Sequence, residues 1–425
     1  MSIHVIEEAN RCLQCKVPRC RQGCPIQTNI PEMIRLLKNN QIMEAAYMLF
    51  DNNPMSVVCS QVCNHEKQCE GHCVRGIKGA PVHISAIEHY ISDSCFNRIR
   101  IEQQPPNGMK AAVIGAGPAG ITIAIILASR GYKVTIFDIR DKIGGILRYG
   151  IPEFRLSNSD IDRYDDKLQE LGVYFRPNFG IGQSTSIKDL FDDGYKAVFV
   201  GTGAWRPKRM QIPGETFGFV HYAINYLNNP DSVHIGKRVA IIGAGNSAMD
   251  VARTVIREGA TEVNVYVRGT SIAASSEEYE YAKLDGAQFV FNKGVVQIVD
   301  EGIVTIDVEE HEDGSVTEIE GTRQTVPADT VIIAISQIPQ RQLTEQDRGL
   351  KLNERGTLEV NEEGQTSRTG VFASGDVVTG AKTVVHAVAE SKRIADDMDR
   401  FMKEEQAKEL AKASAGQEAA EAVES

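Results

Sequence analysis

Two glycine-rich turns frame this chain of 425 residues. Each follows a short apolar run and opens a stretch of helical periodicity. They read Lys110-Ala-Ala-Val-Ile-Gly115-Ala-Gly117-Pro118-Ala119-Gly120 and Arg238-Val-Ala-Ile-Ile-Gly243-Ala-Gly245-Asn246-Ser247-Ala248. In such a turn the first glycine permits the tight bend and the second lets the backbone approach a pyrophosphate. A small third residue, for which alanine is accepted, lets helix and strand pack closely, and the helix N-terminus faces the phosphates. Strands and helices alternate over residues 109–400, so the two turns imply an α/β region with two similar dinucleotide-binding units. Gly131 ends the first helix, and Lys133-Val-Thr-Ile-Phe-Asp138 forms the next strand, with an acid placed for ribose hydroxyls. After the second turn the matching strand, Glu262-Val-Asn-Val-Tyr-Val267, runs into Arg268 and no acid stands there. A basic residue at that place accommodates the 2′-phosphate of NADP, which leans toward NADPH and leaves NADH open.

The nine cysteines all lie between Cys12 and Cys95. Eight fall into two sets of four: Cys12, Cys15, Cys20 and Cys24, the last followed by Pro25, then Cys59, Cys63, Cys69 and Cys73. This is the pattern of a localised metal module rather than a disulfide-stapled secreted protein. Met1-Ser-Ile-His-Val-Ile-Glu-Glu shows no signal peptide, and no apolar run approaches the ~20 residues of a membrane span, so a cytoplasmic location is expected. The net charge of −11, from 46 Lys and Arg against 57 Asp and Glu, argues against nucleic-acid or anionic-membrane binding. A run of four cysteines ending in Cys-Pro is typical of 4Fe–4S loops, in which the Cys before Pro crosses to a second cluster. That logic assigns Cys12, Cys15, Cys20 and Cys73 to one cluster. It assigns Cys24, Cys63 and Cys69, plus one further ligand, to the other. By spacing alone Cys59 is the simplest last ligand, and Cys95 stands outside both sets. Two structural zinc sites are the competing reading, although zinc sites usually show paired Cys-x2-Cys spacings.

The expected organisation is a helical domain over 1–108, closed by the linker Gln103-Gln-Pro-Pro-Asn-Gly108. One nucleotide unit spans 109–205 and 326–402, a second spans 206–325, and an Ala/Glu/Lys tail over 403–425 is expected as a frayed helix or disordered. Helices are expected from Ile30 and over Ile42–Phe50. The loop Gly144-Gly145-Ile-Leu-Arg148 to Arg155 has the glycines and length of a functional loop. A short strand ends in Gly375-Asp376, and Lys382-Thr383-Val384 opens a helix whose amides can face a flavin ring.

Taken together, the cysteine pattern, Gly115–Gly120, Arg148-Tyr-Gly-Ile-Pro-Glu-Phe-Arg-Leu156, Gly243–Asp250 and Val371–Asp376 resemble the small-subunit family of bacterial glutamate synthase. The same module resembles the N-terminal half of dihydropyrimidine dehydrogenase and the large subunit of NADH-dependent ferredoxin:NADP oxidoreductase. The resemblance covers roughly residues 5 to 402. It implies a helical iron–sulfur domain followed by a glutathione-reductase-like flavoprotein. FAD would lie on Gly115, Gly117, Pro118, Ala119, Gly120, Asp138, Gly145, Arg148, Gly375, Asp376, Thr383 and Val384. NADPH or NADH would lie on Gly243, Gly245, Asn246, Ser247, Ala248 and Arg268. One 4Fe–4S cluster in this family is commonly completed by Glu or Gln, and the matching residue is Glu88, which the resemblance prefers over Cys59. Four departures stand out: a single Arg268 where the family often has paired arginines, Ser336 where Gly is usual, Gln340 where Asn is usual, and Ser374 where Gly is usual.

The implied function is electron input. NAD(P)H reduces FAD, and single electrons leave through two clusters to an electron-accepting partner subunit in a hetero-oligomer. No side chain is needed as a general base, because the flavin carries the chemistry. The alternatives are a stand-alone reductase of a small acceptor, the flavoprotein subunit of a dihydropyrimidine dehydrogenase or ferredoxin:NADP oxidoreductase complex, or a redox sensor without turnover. A redox dithiol beside the flavin is excluded, since no cysteine follows Cys95.

Overall fold

The computed structural model describes residues 4–183 and 185–424, with side chains up to Ser414. The chain forms two compact units. One comprises the residues up to 145, 159–204 and those from 339 onward; the other comprises 146–158 and 205–338.

The first unit begins with helices α1 (Ile30–Lys38), α2 (Ile42–Asn52), α3 (Ser56–Val62) and α4 (Ile84–Cys95). In α1, Pro31 sits in the first turn, and Ile30, Met33, Ile34 and Leu37 form one buried stripe at helical spacing. In α4 the buried stripe is Ile84, Ile87, Glu88, Ile91 and Cys95, so an acid occupies a place the pattern reserves for an apolar residue.

The strands follow in chain order. In the first nucleotide unit they are β1 (Lys110–Ile114), β2 (Lys133–Phe137), β3 (Tyr174–Arg176) and β4 (Tyr195–Val200). Then come β5 (Val220–Tyr222), β6 (Arg238–Ile242), β7 (Glu262–Tyr266) and β8 (Gln288–Val290). An antiparallel set follows: β9 (Lys293–Val299), β10 (Gly302–Glu310), β11 (Val316–Glu318) and β12 (Gln324–Pro327). The last are β13 (Thr330–Ile333) and β14 (Val371–Ala373). The helices used below are α5 (Pro118–Ser129), α6 (Asn158–Glu170), α7 (Asn246–Arg257), α8 (Ser276–Asp285) and α9 (Val384–Glu424).

In the first unit a parallel sheet runs β14-β4-β1-β2-β3. Its central strands are buried almost end to end, as expected of parallel strands covered on both faces. Helix α5 is apolar on all sides and packs against both β1 and α9. The helical domain is fastened to this sheet region. Phe96 meets Tyr164 of α6 edge-on at 4.7 Å, and the Arg163 guanidinium lies 4.9 Å over the Phe96 ring. The buried Lys167 Nζ donates to the Ile99 carbonyl at 2.9 Å, and Lys392 Nζ of α9 donates to the Asp51 and Asn52 carbonyls at 3.0 Å.

The second unit holds a parallel sheet β5-β13-β6-β7-β8. Beside it is an antiparallel sheet in which β10 pairs β9, β11 and β12. This antiparallel sheet goes beyond the expectation of alternating strands and helices. Residues 326–338, expected within the first nucleotide unit, belong to the second, because β13 pairs with β5 and β6 there, and residues 146–158 belong to it too. For 146–158 the cause is ionic. Arg155 is almost buried and pairs with Asp250 of α7 at 2.8 Å and Glu278 of α8 at 2.7 Å.

Of the two forms expected for the tail, helix or disorder, the chain takes the helical one, with α9 continuing to Glu424. Ala, Glu and Lys are strong helix formers, and pairs such as Lys403–Asp399 and Lys408–Glu405 support it at i,i+4 and i,i+3. Among the described residues no helix is long and apolar enough to cross a membrane.

Candidate functional site

At the first turn Gly115 has φ +103°, and a methyl group there would lie 2.5 Å from the Gly201 carbonyl oxygen. A methyl on Gly120 would overlap the Gly115 carbonyl oxygen. Gly117 is different, because nothing in the protein comes nearer its missing methyl than the Gly145 Cα at 3.9 Å. The space over Gly117 is thus kept clear at the N-terminus of α5, where unpaired backbone N–H groups favour an anion. Pro118 and Ala119 form the first turn of α5. Gly145, at φ +53°, closes over Gly117, and the Gly144 N–H donates to the Ala116 carbonyl at 2.8 Å. Asp138 accepts from the Ala116 N–H at 2.6 Å and the Arg140 N–H at 2.8 Å, and burial raises its pKa.

Farther along, Gly375 has φ +73°, and Asp376 accepts from the Lys382 N–H at 3.0 Å. Burial pushes the Asp376 carboxyl up to about 6. Thr383 Oγ1 and His386 Nδ1 are 2.6 Å apart at the start of α9, whose first residue is Val384. Ser374 has a packing role, its Oγ lying 2.7 Å from Ser391 Oγ in α9. Ser336 holds φ +87°, the backbone region that favours the glycine usual at that place.

In the second unit Gly243 has φ +135°, and a methyl there would overlap the Ala334 carbonyl oxygen. Gly245 has nothing within 4 Å of its missing methyl. Asn246 opens α7, its Oδ1 accepting from the Ser275 N–H at 2.9 Å. Ser247 is exposed, Ala248 is buried, and Arg268 is exposed just past β7. Arg148 falls in this unit, with the rest of residues 146–158.

The cysteines gather in two places. Cys12, Cys15, Cys20 and Cys73 line one depression, floored by Ile30, Ile34 and Ile84. Burial pushes the Cys20 thiol up to about 11, with the neighbouring Cys73, Cys12 and Cys15 adding to the effect. The second group is buried more deeply. The Cys63 thiol is raised well above its usual range by its hydrogen bond with Cys59, then by burial and the negative charges of Glu88 and Cys69. Cys69 is raised by burial, with Glu88, Glu70 and Cys24 adding to it. Glu88 is buried, and burial alone raises it to about 8. A carboxyl held this way has no cation to offset its charge, which fits a group whose metal would supply one. The chemistry of both groups, four thiols in the first and thiols with a buried carboxyl in the second, is that of iron–sulfur ligands. Cys59 is buried beside Cys63, and Cys95 lies apart with Arg98 Nη2 donating to its Sγ at 3.1 Å. The acid in the buried stripe of α4 is the sequence signal that marks Glu88 independently of any resemblance.

Residues 109–391 match the pyridine nucleotide-disulphide oxidoreductase family, and residues 2–99 match dihydropyrimidine dehydrogenase domain II, 4Fe-4S cluster. The glutamate synthase [NADPH] small chain of Azospirillum brasilense is 33% identical over 432 residues, covering 93% of this chain and 89% of that protein. The small chain of Escherichia coli K12 is 32% identical, covering 93% and 91%. The chain belongs to the glutamate synthase small-chain family. It is an NAD(P)H-dependent oxidoreductase of the two-dinucleotide-binding flavoprotein type, with FAD, and carries a 4Fe–4S domain at its N-terminal end. The family's module recurs in other assemblies. The NADP(+)-dependent formate dehydrogenase subunit beta of Moorella thermoacetica is 31% identical, and this chain covers 60% of it. Mycobacterium tuberculosis FprA in complex with NADPH shares the fold, with a TM-score of 0.62 at 19% identity over 72% of this chain and 86% of that one.

Proposed function

We propose that the chain is a cytoplasmic, NADPH-oxidising electron-input subunit that passes electrons from FAD through two 4Fe–4S clusters to a separate large subunit. The observation that carries this reading is that Cys12, Cys15, Cys20 and Cys73 line one depression while Cys63, Cys69, Cys24 and Glu88 neighbour one another elsewhere, on a helical domain fastened to the first nucleotide unit. Bound FAD takes electrons in pairs and releases them singly, and iron–sulfur clusters carry them one at a time.

The chain's residues bind and orient. Gly117 and Gly145 keep the backbone back from the FAD pyrophosphate, and the N-terminus of α5 supplies amides to it. Asp138 receives ribose hydroxyls, while Gly375, Asp376, Thr383 and Val384 hold the flavin end. Gly243, Gly245, Asn246, Ser247 and Ala248 cradle the nicotinamide dinucleotide, and exposed Arg268 meets the 2′-phosphate of NADPH. Cys12, Cys15, Cys20 and Cys73 hold one cluster, and Cys24, Cys63, Cys69 and Glu88 the other. The names of the relatives support a large-subunit partner.

The test is anaerobic reduction of the purified protein with NADPH and with NADH, followed by iron analysis and EPR. NADPH should bleach the flavin and then bring up cluster signals. A flavin that stays oxidised would sink the reading. In parallel, Glu88→Ala should lose one cluster's iron and EPR signal while Cys59→Ser keeps both. The reverse pattern would transfer the ligand role to Cys59.

A further inference from the structure

The two cysteine sites differ in their surroundings. The segments bearing the first set, residues 11–31 and 71–87, contain Arg11, Lys16, Arg19, Arg21, Arg75 and Lys78 and no Asp or Glu, within a chain of net charge −11. Arg11 is held by Glu8. The other five side chains are exposed, and none forms an ion pair among the described residues. Arg19 and Arg75 line the same depression as the four cysteines. Three of the molecule's most exposed large apolar side chains lie in the same segments: Leu13 at 60%, Val17 at 68% and Ile77 at 67%. Leu13 also lines the depression.

Cations near thiolate ligands have a simpler use, since they offset the ligands' own charge. The second set tests that explanation. It carries the same count of anionic ligands, yet the segment 59–70 that bears two of them, Cys63 and Cys69, holds a single cation, Lys67, beside Glu66 and Glu70. Charge compensation needs no apolar neighbours, so it does not account for exposed Leu13, Val17 and Ile77 beside five outward-facing cations. An apolar centre with a charged rim is the anatomy of a transient protein interface, in which rim charges steer the encounter.

We infer that the face around Cys12, Cys15, Cys20 and Cys73 is a docking surface for an acidic redox protein, whose own apolar centre seats on Leu13, Val17 and Ile77 and whose carboxylates meet Lys16, Arg19, Arg21, Arg75 and Lys78. This rests on the proposed electron exit through the clusters, and it adds the charge and shape of what receives the electrons.

The test uses the holoenzyme with two protein probes of opposite charge, an acidic ferredoxin and basic cytochrome c, and ferricyanide as a small acceptor. Affinity is read by isothermal titration and turnover by NADPH-driven reduction. The ferredoxin should bind more tightly, and raising salt from 50 to 300 mM, on the order of a twofold fall in screening length, should weaken it about tenfold. The variant Lys16→Glu/Arg75→Glu/Lys78→Glu should raise its Kd and KM about tenfold or more, with iron content and ferricyanide reduction unchanged. Ile77→Ser should weaken it at all salt concentrations. If the triple variant fails to assemble its clusters, the salt dependence of the unaltered protein decides. Preference for cytochrome c, or salt-independent ferredoxin binding, would overturn the inference. So would tight binding of single-stranded oligonucleotide lost in the triple variant, or self-association lost in it. Loss of ferricyanide reduction in the unaltered protein would instead indict the electron-input reading itself.

Discussion

At the first glycine turn the backbone from Ala111 to Gly120 is buried except at Gly117, and the strand-end acid Asp138 is hydrogen-bonded to two N–H groups. At the second turn Gly243 to Asn246 are half-exposed, Ser247 is open to solvent and the residue past the strand is an exposed Arg268. The motif is the same and the surroundings differ. A turn closed on all sides but one suits a group that stays bound, and a half-open turn suits a nucleotide that must arrive and leave at each turnover. On this reading the first unit is built for retention and the second for exchange.

Four experiments break or sharpen that contrast, from the largest expected effect to the smallest. Gly120→Val forces a side chain into the Gly115 carbonyl, and flavin-containing protein should no longer be recovered. Gly243→Val meets the Ala334 carbonyl in the second unit and should cost that unit at least about 3 kcal/mol while flavin absorbance persists. Flavin loss in both variants would erase the distinction. The next pair adds only a methyl where the protein leaves room. Gly117→Ala and Gly245→Ala should both fold, the second with Tm within about 2 °C in the absence of nucleotide. The first should release flavin on gel filtration, and the second should raise the Kd for NADPH about 100-fold with flavin retained. An unchanged Kd in Gly245→Ala would remove the second cradle from consideration. Third, Arg268→Ala should raise the KM for NADPH about tenfold, the worth of one charge-assisted contact, and leave that for NADH alone. Equal effects on both nucleotides would show that Arg268 does not read the 2′-phosphate.

The smallest effect concerns the buried acid of the second unit. Burial raises the Asp250 carboxyl from 3.8 to about 7, against the opposing charge of Arg155. Below the unfolded value both states are protonated. Between about 4 and about 7 the unfolded chain ionises first, so folding loses stability as pH rises through that window. Asp250→Asn lacks this loss. Its Tm relative to the unaltered protein should therefore climb by a few degrees from about pH 4 to about pH 7 and level off above, in scanning calorimetry. A difference independent of pH would show that Asp250 ionises normally.

Much of this was legible in local patterns. The strand–turn–helix runs at Gly115 and Gly243 emerge with the anticipated elements, as do the helices from Ile30 and Ile42, because glycine sterics and apolar periodicity act over neighbouring residues. The placement of 146–158 was not legible, because it depends on Arg155 meeting Asp250 and Glu278, about 100 residues away in sequence. The antiparallel strands β9 to β12 escaped notice for a related reason. β11 and β12 are short and mostly exposed, and β9 and β10 mix polar with apolar residues, so their pairing and not their composition declares them. At the cysteines, spacing pairs the two sets, while the relation of Cys59 and Glu88 to Cys63 needed three dimensions.

The linker Gln103-Gln-Pro-Pro-Asn-Gly108 looks like a hinge in composition, yet its backbone is pinned. Gln104 N–H donates to the Ser129 carbonyl at 2.8 Å, Asn107 N–H to Gly131 at 3.0 Å, and Gln103 Nε2 to Leu171 at 2.9 Å. With Phe96, Arg163, Lys167 and Lys392 gripping the same joint, the helical domain has no freedom to swing as a tethered carrier arm. Within the first unit the cysteine-bearing helices are held like a soldered joint rather than hung on a tether.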